Sequence, residues 1–266
     1  MDLHNLAQDI LPIAKEAGRL ILEIYEKDDF QVEKKQDDSP VTIADKTSND
    51  FICDALEKLT PNIPIVSEER PVADFSERKQ YEYYWLIDPL DGTKEFINRN
   101  GDFTVNIALI HGKNPVLGVV FVPVQNKMYW AVKGHGAWEI QDGVKKQLFA
   151  DTFKMSQSGL AIAVTRSHFN QETANYIGEF TFPRLIAAGS SLKVIMVARG
   201  EAHLHPRFGP TMEWDTAAPQ IILEEAGGKI LKHDGSAFEY NQKDSLENPN
   251  YFVYGKVEIA TVPHYF

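Results

Sequence analysis

The sequence predicts a mixed fold in which an α+β unit with an antiparallel sheet precedes a second α/β unit. An amphipathic helical pattern opens the chain, β-rich runs fill its middle, and strands alternate with helices from about residue 155. With 266 residues, of which 43% are hydrophobic, the chain can bury a large core. We therefore expect units over residues 1–154 and 155–266, joined in one continuous structure.

The N-terminal unit is predicted to begin with two helices. Apolar side chains recur at helical spacing over residues 3–26, which indicates an amphipathic helix. A second helix is expected over about residues 41–59, and it ends at Thr60 because the residue before a proline disfavours helical angles. Short strands are expected at residues 30–32 and 63–66, and a loop or partly helical lid follows.

The middle of the chain is rich in β-forming residues. Residues 84–87 form an apolar run that predicts a buried strand ending just before Asp88. The runs at 103–110, 116–122 and 127–132 are separated by short turns, so we expect an antiparallel meander. The glycines that follow, in K-G-H-G-A-W, do not form a dinucleotide fingerprint, because no third glycine and no helical pattern follow.

Strands and helices alternate in the second unit. Strands are expected at 160–164, 202–206 and 252–254, and helices at 171–179, 192–199 and 220–226. The pair Gly227-Gly228 ends the last helix. Pro219 is expected in the first turn of that helix, where proline is well tolerated.

Composition and charge narrow the classes of function. The formal net charge of −11, from 27 basic and 38 acidic residues, argues against a general nucleic-acid-binding surface, which needs a basic footprint. Bound metal ions can reverse the local field, so a small phosphorylated substrate is still allowed. A single cysteine, Cys53, excludes an intrachain disulfide and a cysteine-rich zinc site, and its apolar neighbours favour burial.

The N-terminus lacks the basic-then-apolar layout of a signal peptide. No apolar run approaches the roughly 20 residues that a membrane-spanning helix needs. We therefore expect a soluble, cytoplasmic protein, with peripheral association at the inner membrane left open. The sequence leaves the oligomeric state open as well.

The most informative stretch places two acids directly after a predicted strand. Asp88 and Asp91 follow residues 84–87, and Gly92-Thr93 comes next. Gathered carboxylates are costly unless a cation neutralises them, and hard divalent metals prefer carboxylate and carbonyl oxygens. This stretch therefore predicts a divalent metal site.

Acidic residues stand at the ends of several predicted elements. They are Asp37 with Asp45, Glu68 with Glu69, Asp88 with Asp91, and Asp215. Each has a structural interpretation when taken alone, because exposed acids are common and Asp45 or Asp215 can cap the helix that follows it. Together they predict the multi-carboxylate cage of a two-metal phosphoryl-transfer site.

Gly92 and Thr93 add groups that suit phosphate chemistry. If a helix begins there, its free N–H groups bind an anion, and glycine lets a phosphate approach the backbone closely. The alternative is an ordinary Asp-Gly turn, which is frequent. Paired with a carboxylate, the Thr93 hydroxyl is a candidate to orient and deprotonate a metal-activated water.

These motifs resemble those of a known family. Residues 88–93 (D-P-L-D-G-T) and 214–218 (W-D-T-A-A) are similar to the two signatures of the lithium-sensitive, magnesium-dependent phosphatase superfamily that includes inositol monophosphatase. Residues 67–69 (S-E-E), and Asp37 with residues 39–45, complete the set in family order and spacing. The resemblance runs nearly end to end and implies a layered αβαβα sandwich of the inositol monophosphatase and fructose-bisphosphatase type.

Two segments favour one branch of this family. Residues 91–96 (D-G-T-K-E-F) and 207–211 (R-F-G-P-T) resemble the 3′(2′),5′-bisphosphate nucleotidases. The resemblance implies a phosphomonoesterase that converts adenosine 3′,5′-bisphosphate to AMP and phosphate by in-line attack of a metal-activated water. It leaves open the use of 3′-phosphoadenosine 5′-phosphosulfate. The alternative is an inositol or other sugar-phosphate monophosphatase, and a non-catalytic metal or nucleotide sensor is a more distant one.

The resemblance also implies which residues hold magnesium and activate water. One Mg²⁺ is implied at Glu68, Asp88 and the Leu90 carbonyl, a second at Asp88, Asp91 and Asp215, and a weaker third, through water, at Asp37. Thr93 with Asp45 is implied to activate the attacking water.

Substrate contacts are implied on both units. The amides of Gly92 and Thr93 are implied to bind the phosphate that is released, beside the metal ligands Glu68, Leu90, Asp91 and Asp215. The nucleoside half is implied to contact Arg166, Ser167, His168, Gly189, Ser190 and Lys193. Lys193 or Arg166 is expected to pair with the remaining 5′-phosphate. Pro219 departs from the family, in which many members have glycine, and is expected to shift the base-side wall slightly.

Overall fold

The computed structural model of the protein describes residues 1–27, 32–34, 40–166 and 169–258. Its helices are α1 (Leu3–Tyr25), α2 (Ile43–Leu59), α3 (Phe75–Arg78), α4 (Thr93–Ile97), α5 (Gln171–Ile177), α6 (Leu192–Ala198) and α7 (Glu213–Glu225). Its strands are β1 (Glu33–Lys34), β2 (Pro40–Val41), β3 (Ile65–Ser67), β4 (Tyr83–Asp91), β5 (Thr104–His111), β6 (Asn114–Val122), β7 (Lys127–Val132), β8 (Ala137–Gln141), β9 (Val144–Gln147), β10 (Thr152–Phe153), β11 (Ala161–Thr165), β12 (Arg184–Ala188), β13 (Leu204–Arg207), β14 (Lys229–Lys232), β15 (Tyr251–Tyr254) and β16 (Lys256–Val257).

Two sheets form the framework. The larger has seven strands in the order β3-β4-β5-β6-β7-β8-β9, in which β3 is parallel to β4 and the other neighbours are antiparallel. The smaller has the order β12-β11-β13-β15-β14, in which β11 is parallel to both of its neighbours. The predicted meander is confirmed as β5, β6 and β7, and it continues through β8 and β9.

Three apolar clusters fill the four interfaces between five layers of structure, and one of them lies on both sides of α6 and α7. The helices α1 and α2 pack on one face of the seven-stranded sheet. The helices α6 and α7 pack between the other face of that sheet and the five-stranded sheet. Finally, α5 covers the outer face of the five-stranded sheet. Each element therefore buries its apolar face against a neighbour, and the implied αβαβα order is confirmed.

The strand that carries the first two acids extends further than the sequence predicts. Instead of ending before Asp88, β4 runs on to Asp91, with Asp88 opposite Asn106 and Asp91 opposite Thr104 of β5. The register shifts between these two pairs. Such an irregularity accommodates Pro89, which has no N–H to donate to the sheet. The two acids thus lie on the end of an interior strand of the sheet and not on a loop.

The last long helix begins earlier than the sequence predicts. It starts at Glu213 and not near residue 220, so Pro219 lies in its interior and not in its first turn. The early start has a local cause, because Asp215 accepts a hydrogen bond from the backbone N–H of Met212 (2.8 Å) and closes the first turn. Pro219 has no N–H to donate to the carbonyl of Asp215, four residues before it.

The other predicted helices are confirmed. The bounds of α1, α2, α5 and α6 lie within two residues of the predictions. Cys53 is buried, as its neighbours predicted, and the expected lid contains only the short helix α3. The strand expected at 30–32 lies mostly outside the described residues. Within the ranges given above, no helix combines the length and apolar character that crossing a membrane requires.

Candidate active site

A cavity of about 280 Å³ opens where the end of β4 meets the beginnings of α6 and α7. Both sheets contribute to its wall. The predicted site residues that line it are Glu68, Asp88, Leu90, Asp91, Gly92, Thr93, Gly189, Ser190, Lys193 and Asp215. The fold therefore brings together most of the residues that were predicted from separate motifs.

Three carboxylates converge in this cavity. One oxygen from each of Asp88, Asp91 and Asp215 lies within 4.8 Å of the other two. Burial raises the pKa of Asp88 and of Asp215 well above the ordinary value, and neighbouring carboxylates raise both further. Burial also raises the pKa of Asp91. Such crowding of like charge indicates a site for a cation.

The donor set fits a hard divalent metal ion. Mg²⁺ prefers carboxylate and carbonyl oxygens, and these acids are held by the end of the interior strand β4 and the start of the helix α7. Five of the six predicted metal ligands line the cavity, namely Glu68, Asp88, Leu90, Asp91 and Asp215. The sixth, Asp37, lies outside the described residues.

Two of these acids also stabilise the local backbone. Asp88 accepts a hydrogen bond from the N–H of Leu90 (3.0 Å), and Asp215 accepts one from the N–H of Met212 (2.8 Å). Each bond uses one oxygen and leaves the other available to a ligand. The structural interpretation of Asp215 as a helix cap is therefore compatible with its predicted place in the metal site.

Thr93 and Asp45 lie in hydrogen-bond contact, as their predicted roles require. The Thr93 hydroxyl donates to Asp45 Oδ1 at 3.0 Å. Asp45 Oδ2 accepts from the backbone N–H (2.7 Å) and the hydroxyl (2.6 Å) of Thr42, which begins α2. Asp45 is almost fully buried, and burial raises the pKa of its carboxyl. The buried carboxylate of Asp45 is thus held at both oxygens, whereas its partner Thr93 lines the cavity.

Gly92 begins the short helix α4 in a conformation that favours glycine. Its φ of 97° is left-handed, and a Cβ at this position would lie 3.0 Å from the backbone oxygen of Asp102. A helix does begin after the acids, at Thr93, and runs to Ile97, so the condition for an anion-binding helix start is met and the alternative of a simple Asp-Gly turn is not. The backbone of Gly92 and Thr93 therefore lies open to the cavity with no side chain at residue 92 to obstruct it.

Basic side chains lie in another part of the same cavity wall. Lys193 is only 8% exposed, and its Nζ donates to the carbonyl of Ser190 at 2.6 Å. Burial lowers the pKa of Lys193 to about 8, although the carboxylate of Asp91 opposes this effect. Arg207, which also lines the cavity, donates from Nη2 to the carbonyl of Pro210 at 2.6 Å.

Three buried polar atoms in this wall have no hydrogen-bond partner within the described part of the chain: Ser190 Oγ, His205 Nε2 and Arg207 Nε. His205 Nδ1 lies 2.9 Å from the carbonyl of Ala163, which can only accept, so we assign the proton to Nδ1. Burial lowers the pKa of His205 well below its ordinary value, which leaves Nε2 as an acceptor. Because buried polar groups are normally bonded, these atoms indicate room for a polar ligand.

The predicted contact at Arg166 differs from the others. Its guanidinium pairs with Asp102 at 2.9 Å, and its side chain is about half exposed. Arg166 is not one of the described residues that line the cavity. Asp102 Oδ2 also accepts from the N–H of Gly189 at 3.0 Å, so Arg166 braces the loop before α6. Ser167 and His168 lie outside the described residues.

Several residues of the wall were not predicted from their own patterns. They are Thr165, Ser191, His205, Arg207, Thr211 and Tyr251. Arg207 and Thr211 lie in the segment 207–211, whose resemblance to nucleotidases was the available signal. Thr165 and Ser191 lie in segments 165–168 and 189–193, whose resemblance to the nucleotide-holding segments of the family was a signal of the same kind. No local pattern distinguishes His205 and Tyr251, which strand packing brings to the cavity.

Comparison with known proteins gives the same family over nearly the whole chain. Residues 2–260 match the inositol monophosphatase family. The 3′(2′),5′-bisphosphate nucleotidase CysQ of Salmonella typhimurium is 42% identical over 93% of this chain and 99% of that protein. The crystal structure of CysQ from Bacteroides thetaiotaomicron superposes with a TM-score of 0.81 at 38% identity, over 97% of this chain and 99% of that one.

A more distant solved structure shares the fold. An inositol monophosphatase/NADP phosphatase complexed with Mg²⁺ and phosphate has a TM-score of 0.80 at 22% identity, over 96% of this chain and 92% of that one. Fold, motifs and sequence identity therefore agree, and the chain belongs to the inositol monophosphatase family of metal-dependent phosphatases.

Proposed function

We propose that this protein is a metal-dependent 3′(2′),5′-bisphosphate nucleotidase that converts adenosine 3′,5′-bisphosphate to AMP and phosphate. One observation carries the proposal: a single cavity joins a cluster of carboxylates to a buried lysine. The carboxylate cluster can hold metal beside the phosphate that is released, and the buried lysine can pair with the other phosphate of the substrate. Nucleotidases that are 42% identical over most of the chain support the same substrate.

The proposed site holds two Mg²⁺ ions, through the ligands that the resemblance implied, and Asp37 is retained as a contact to a third. The crowding of buried carboxylates supports more than one cation, since a single divalent ion does not balance the charge of Glu68, Asp88, Asp91 and Asp215. The related fold that binds Mg²⁺ and phosphate supports magnesium as the metal. When bound, Mg²⁺ supplies Lewis acidity and lowers the pKa of a coordinated water.

Thr93 and Asp45 supply the proton route. The hydroxyl of Thr93 already donates to Asp45 Oδ1 at 3.0 Å, so the lone pairs of its oxygen can accept a proton from the attacking water. As that proton moves to Thr93 Oγ1, the hydroxyl proton moves to Asp45 Oδ1. The raised pKa of the buried Asp45 carboxyl favours this transfer. Attack in line with the departing ribose oxygen then breaks the bond between phosphorus and that oxygen, which takes a proton from solvent water and leaves as a free hydroxyl beside the released phosphate.

The remainder of the cavity is proposed to hold the nucleotide. The backbone of Gly92 and Thr93 contacts the phosphate that is released, and Gly189 and Ser190 contact the nucleoside. Lys193 pairs with the 5′-phosphate, because it is buried in the cavity wall whereas Arg166 is occupied by Asp102. In this proposal residues 1–154 carry most of the metal site and residues 155–266 hold the nucleotide.

The test is phosphate release from adenosine 3′,5′-bisphosphate by the full chain, with Mg²⁺ and with EDTA. We expect turnover with Mg²⁺ and none with EDTA. Equal rates in the two conditions would contradict the metal mechanism. Inositol 1-phosphate serves as the competing substrate, and a higher kcat/KM for it would replace the nucleotidase by a sugar-phosphate phosphatase.

A further inference from the structure

The carboxylate of Asp91 is held by a residue one hundred positions away. Ser191, at the start of α6, donates to Asp91 Oδ2 from its backbone N–H at 2.7 Å and from its hydroxyl at 2.6 Å. Ser191 is 3% exposed, so water does not compete for these bonds. Hydrogen bonds to an ionised acceptor are short and strong, and both of these are.

A second buried side chain fixes the orientation of the Ser191 hydroxyl. Asn106, on β5, donates from Nδ2 to Ser191 Oγ at 2.7 Å, and the same amide lies 3.3 Å from Asp91 Oδ2. Because Ser191 Oγ accepts this bond, its own proton points toward its acceptors. The donors from Ser191 and Asn106 all converge on Oδ2 of Asp91.

The same hydroxyl reaches the helix that carries Asp215. Ser191 Oγ lies 3.1 Å from the backbone carbonyl of Asp215. In an unbroken α-helix this carbonyl accepts from the N–H four residues later, but residue 219 is proline and has no N–H. The Ser191 hydroxyl therefore lies within hydrogen-bond distance of a carbonyl that Pro219 leaves without its usual partner.

We propose that Ser191 is a positioning residue of the metal centre. It holds Asp91 through Oδ2, which leaves Oδ1 for the metal, and it joins Asp91 on β4 to Asp215 on α7. The single hydroxyl proton of Ser191 is shared between Asp91 Oδ2 at 2.6 Å, the stronger contact, and the Asp215 carbonyl at 3.1 Å, the weaker one. Pro219 supports the weaker contact because it has no N–H to donate to that carbonyl. The inference rests on the proposed function only in taking Mg²⁺ as the ion.

The first test measures Mg²⁺ binding to metal-free protein by titration calorimetry, without substrate. Ser191→Ala keeps the backbone donor and loses the hydroxyl, and we expect the Kd for Mg²⁺ to rise roughly ten-fold or more. The matched control is Thr173→Val, because Thr173 is equally buried but its hydroxyl donates to Asn170 Oδ1 at 2.7 Å at the start of α5, away from the acids. We expect this control to leave the Kd unchanged.

The second test uses thermal unfolding in EDTA and a double-mutant cycle. Ser191→Ala leaves the Asp215 carbonyl without its hydroxyl partner when residue 219 is proline, so we expect Tm to fall by roughly 2–4 °C. In a Pro219→Ala background the helix supplies an N–H to that carbonyl. The loss of Tm caused by Ser191→Ala should therefore be smaller in that background. Additive losses would overturn the role of Pro219.

The decisive outcomes are distinct from those of the proposed function. If the parent protein binds Mg²⁺ and hydrolyses the bisphosphate while folded Ser191→Ala keeps the parent Kd, this inference fails and the proposed function stands. If the parent neither binds Mg²⁺ nor needs it, both fail. Should Ser191→Ala not fold, Asn106→Leu removes the amide that orients the same hydroxyl, and an unchanged Kd in that variant would equally overturn the proposal.

Discussion

The cavity wall has an acidic part and a basic part, and the two parts differ in how their charged groups are surrounded. The acidic wall, formed by Asp88, Asp91 and Asp215, brings carboxylates within 4.8 Å of one another. Burial raises the pKa of all three, and neighbouring carboxylates raise those of Asp88 and Asp215 further. The basic wall, formed by Lys193 and Arg207, holds its cations against backbone carbonyls. Like charges are therefore crowded in the acidic wall, whereas each cation of the basic wall has a neutral acceptor.

This difference indicates what each wall does when ligands bind. The field of Asp91 raises the pKa of Lys193, so the two walls attract each other across the cavity. Cations bound at the acidic wall weaken that attraction, because they neutralise the carboxylates. The basic wall is then left to pair with an anion. Metal binding and binding of a doubly phosphorylated substrate should thus favour one another.

The largest effect is expected from removing one charge of the acidic wall. In Asp88→Asn we expect kcat/KM with Mg²⁺ to fall roughly 10³-fold or more, since several kcal/mol of charge stabilisation are lost. In EDTA at neutral pH, Tm should rise, because the raised pKa of Asp88 means that its ionised form opposes folding. Phosphate release and thermal unfolding measure the two effects.

The control for this prediction is Asp234→Asn, which removes an exposed aspartate in the turn after β14, outside the cavity lining. We expect this variant to keep the activity and the Tm of the parent protein. An Asp88→Asn protein that is less stable than the parent in EDTA would contradict the claim that the acidic wall is crowded with repelling charge.

A smaller but more specific effect is expected at the proton route beside the acidic wall. Thr93→Ala should lower kcat by roughly 10²-fold or more, because the water loses the group that accepts its proton. Mg²⁺ affinity should persist, since the carboxylates are intact. Thr93→Ser keeps the hydroxyl that donates to Asp45 and is expected to retain most of the activity. A kcat for Thr93→Ala equal to that of the parent would remove Thr93 from the mechanism.

The acidic wall was predictable from sequence because its signals are local. Each acid follows an apolar run or opens a helical pattern, and the family motifs give Asp88, Asp91 and Asp215 their order. What the pattern could not give is the length of the elements. It ended β4 before Asp88 and began α7 after Pro219, because a sheet irregularity and a hydrogen bond from Met212 to Asp215 decide those bounds.

The basic wall was only partly predictable. Lys193 came from a motif, but the burial that lowers its pKa depends on strands far away in the sequence. His205 looks like an ordinary strand residue, and the unpaired Nε2 emerges only from packing. Arg166 was predicted as a phosphate contact from its motif, whereas its partner Asp102 stands 64 residues earlier. Long-range side-chain contacts of this kind leave no local signature.

The smallest expected effect is a dependence of substrate affinity on pH, and it concerns the basic wall and not the acidic one. The Lys193 ammonium carries its charge below its pKa of about 8 and loses it above. The affinity for a 5′-phosphate should therefore fall as pH rises through this value. Bound Mg²⁺ weakens the field of Asp91 that raises this pKa, so the loss of charge begins at a lower pH in the Mg²⁺-loaded protein. We expect kcat/KM for the bisphosphate to decrease between pH 7.5 and pH 9 if only the charged lysine binds.

Lys193→Met tests whether this alkaline limb belongs to the basic wall. The variant should lose roughly ten-fold or more in kcat/KM for the bisphosphate near pH 7.5, through KM, because a charge-assisted hydrogen bond is removed. Its remaining activity should show a flatter alkaline limb, since no charge at residue 193 is left to titrate. Mg²⁺ affinity should change little in the variant. If kcat/KM falls at high pH in the same way for the parent and for Lys193→Met, the titrating group is not Lys193. That result would contradict the assignment of Lys193 to the 5′-phosphate.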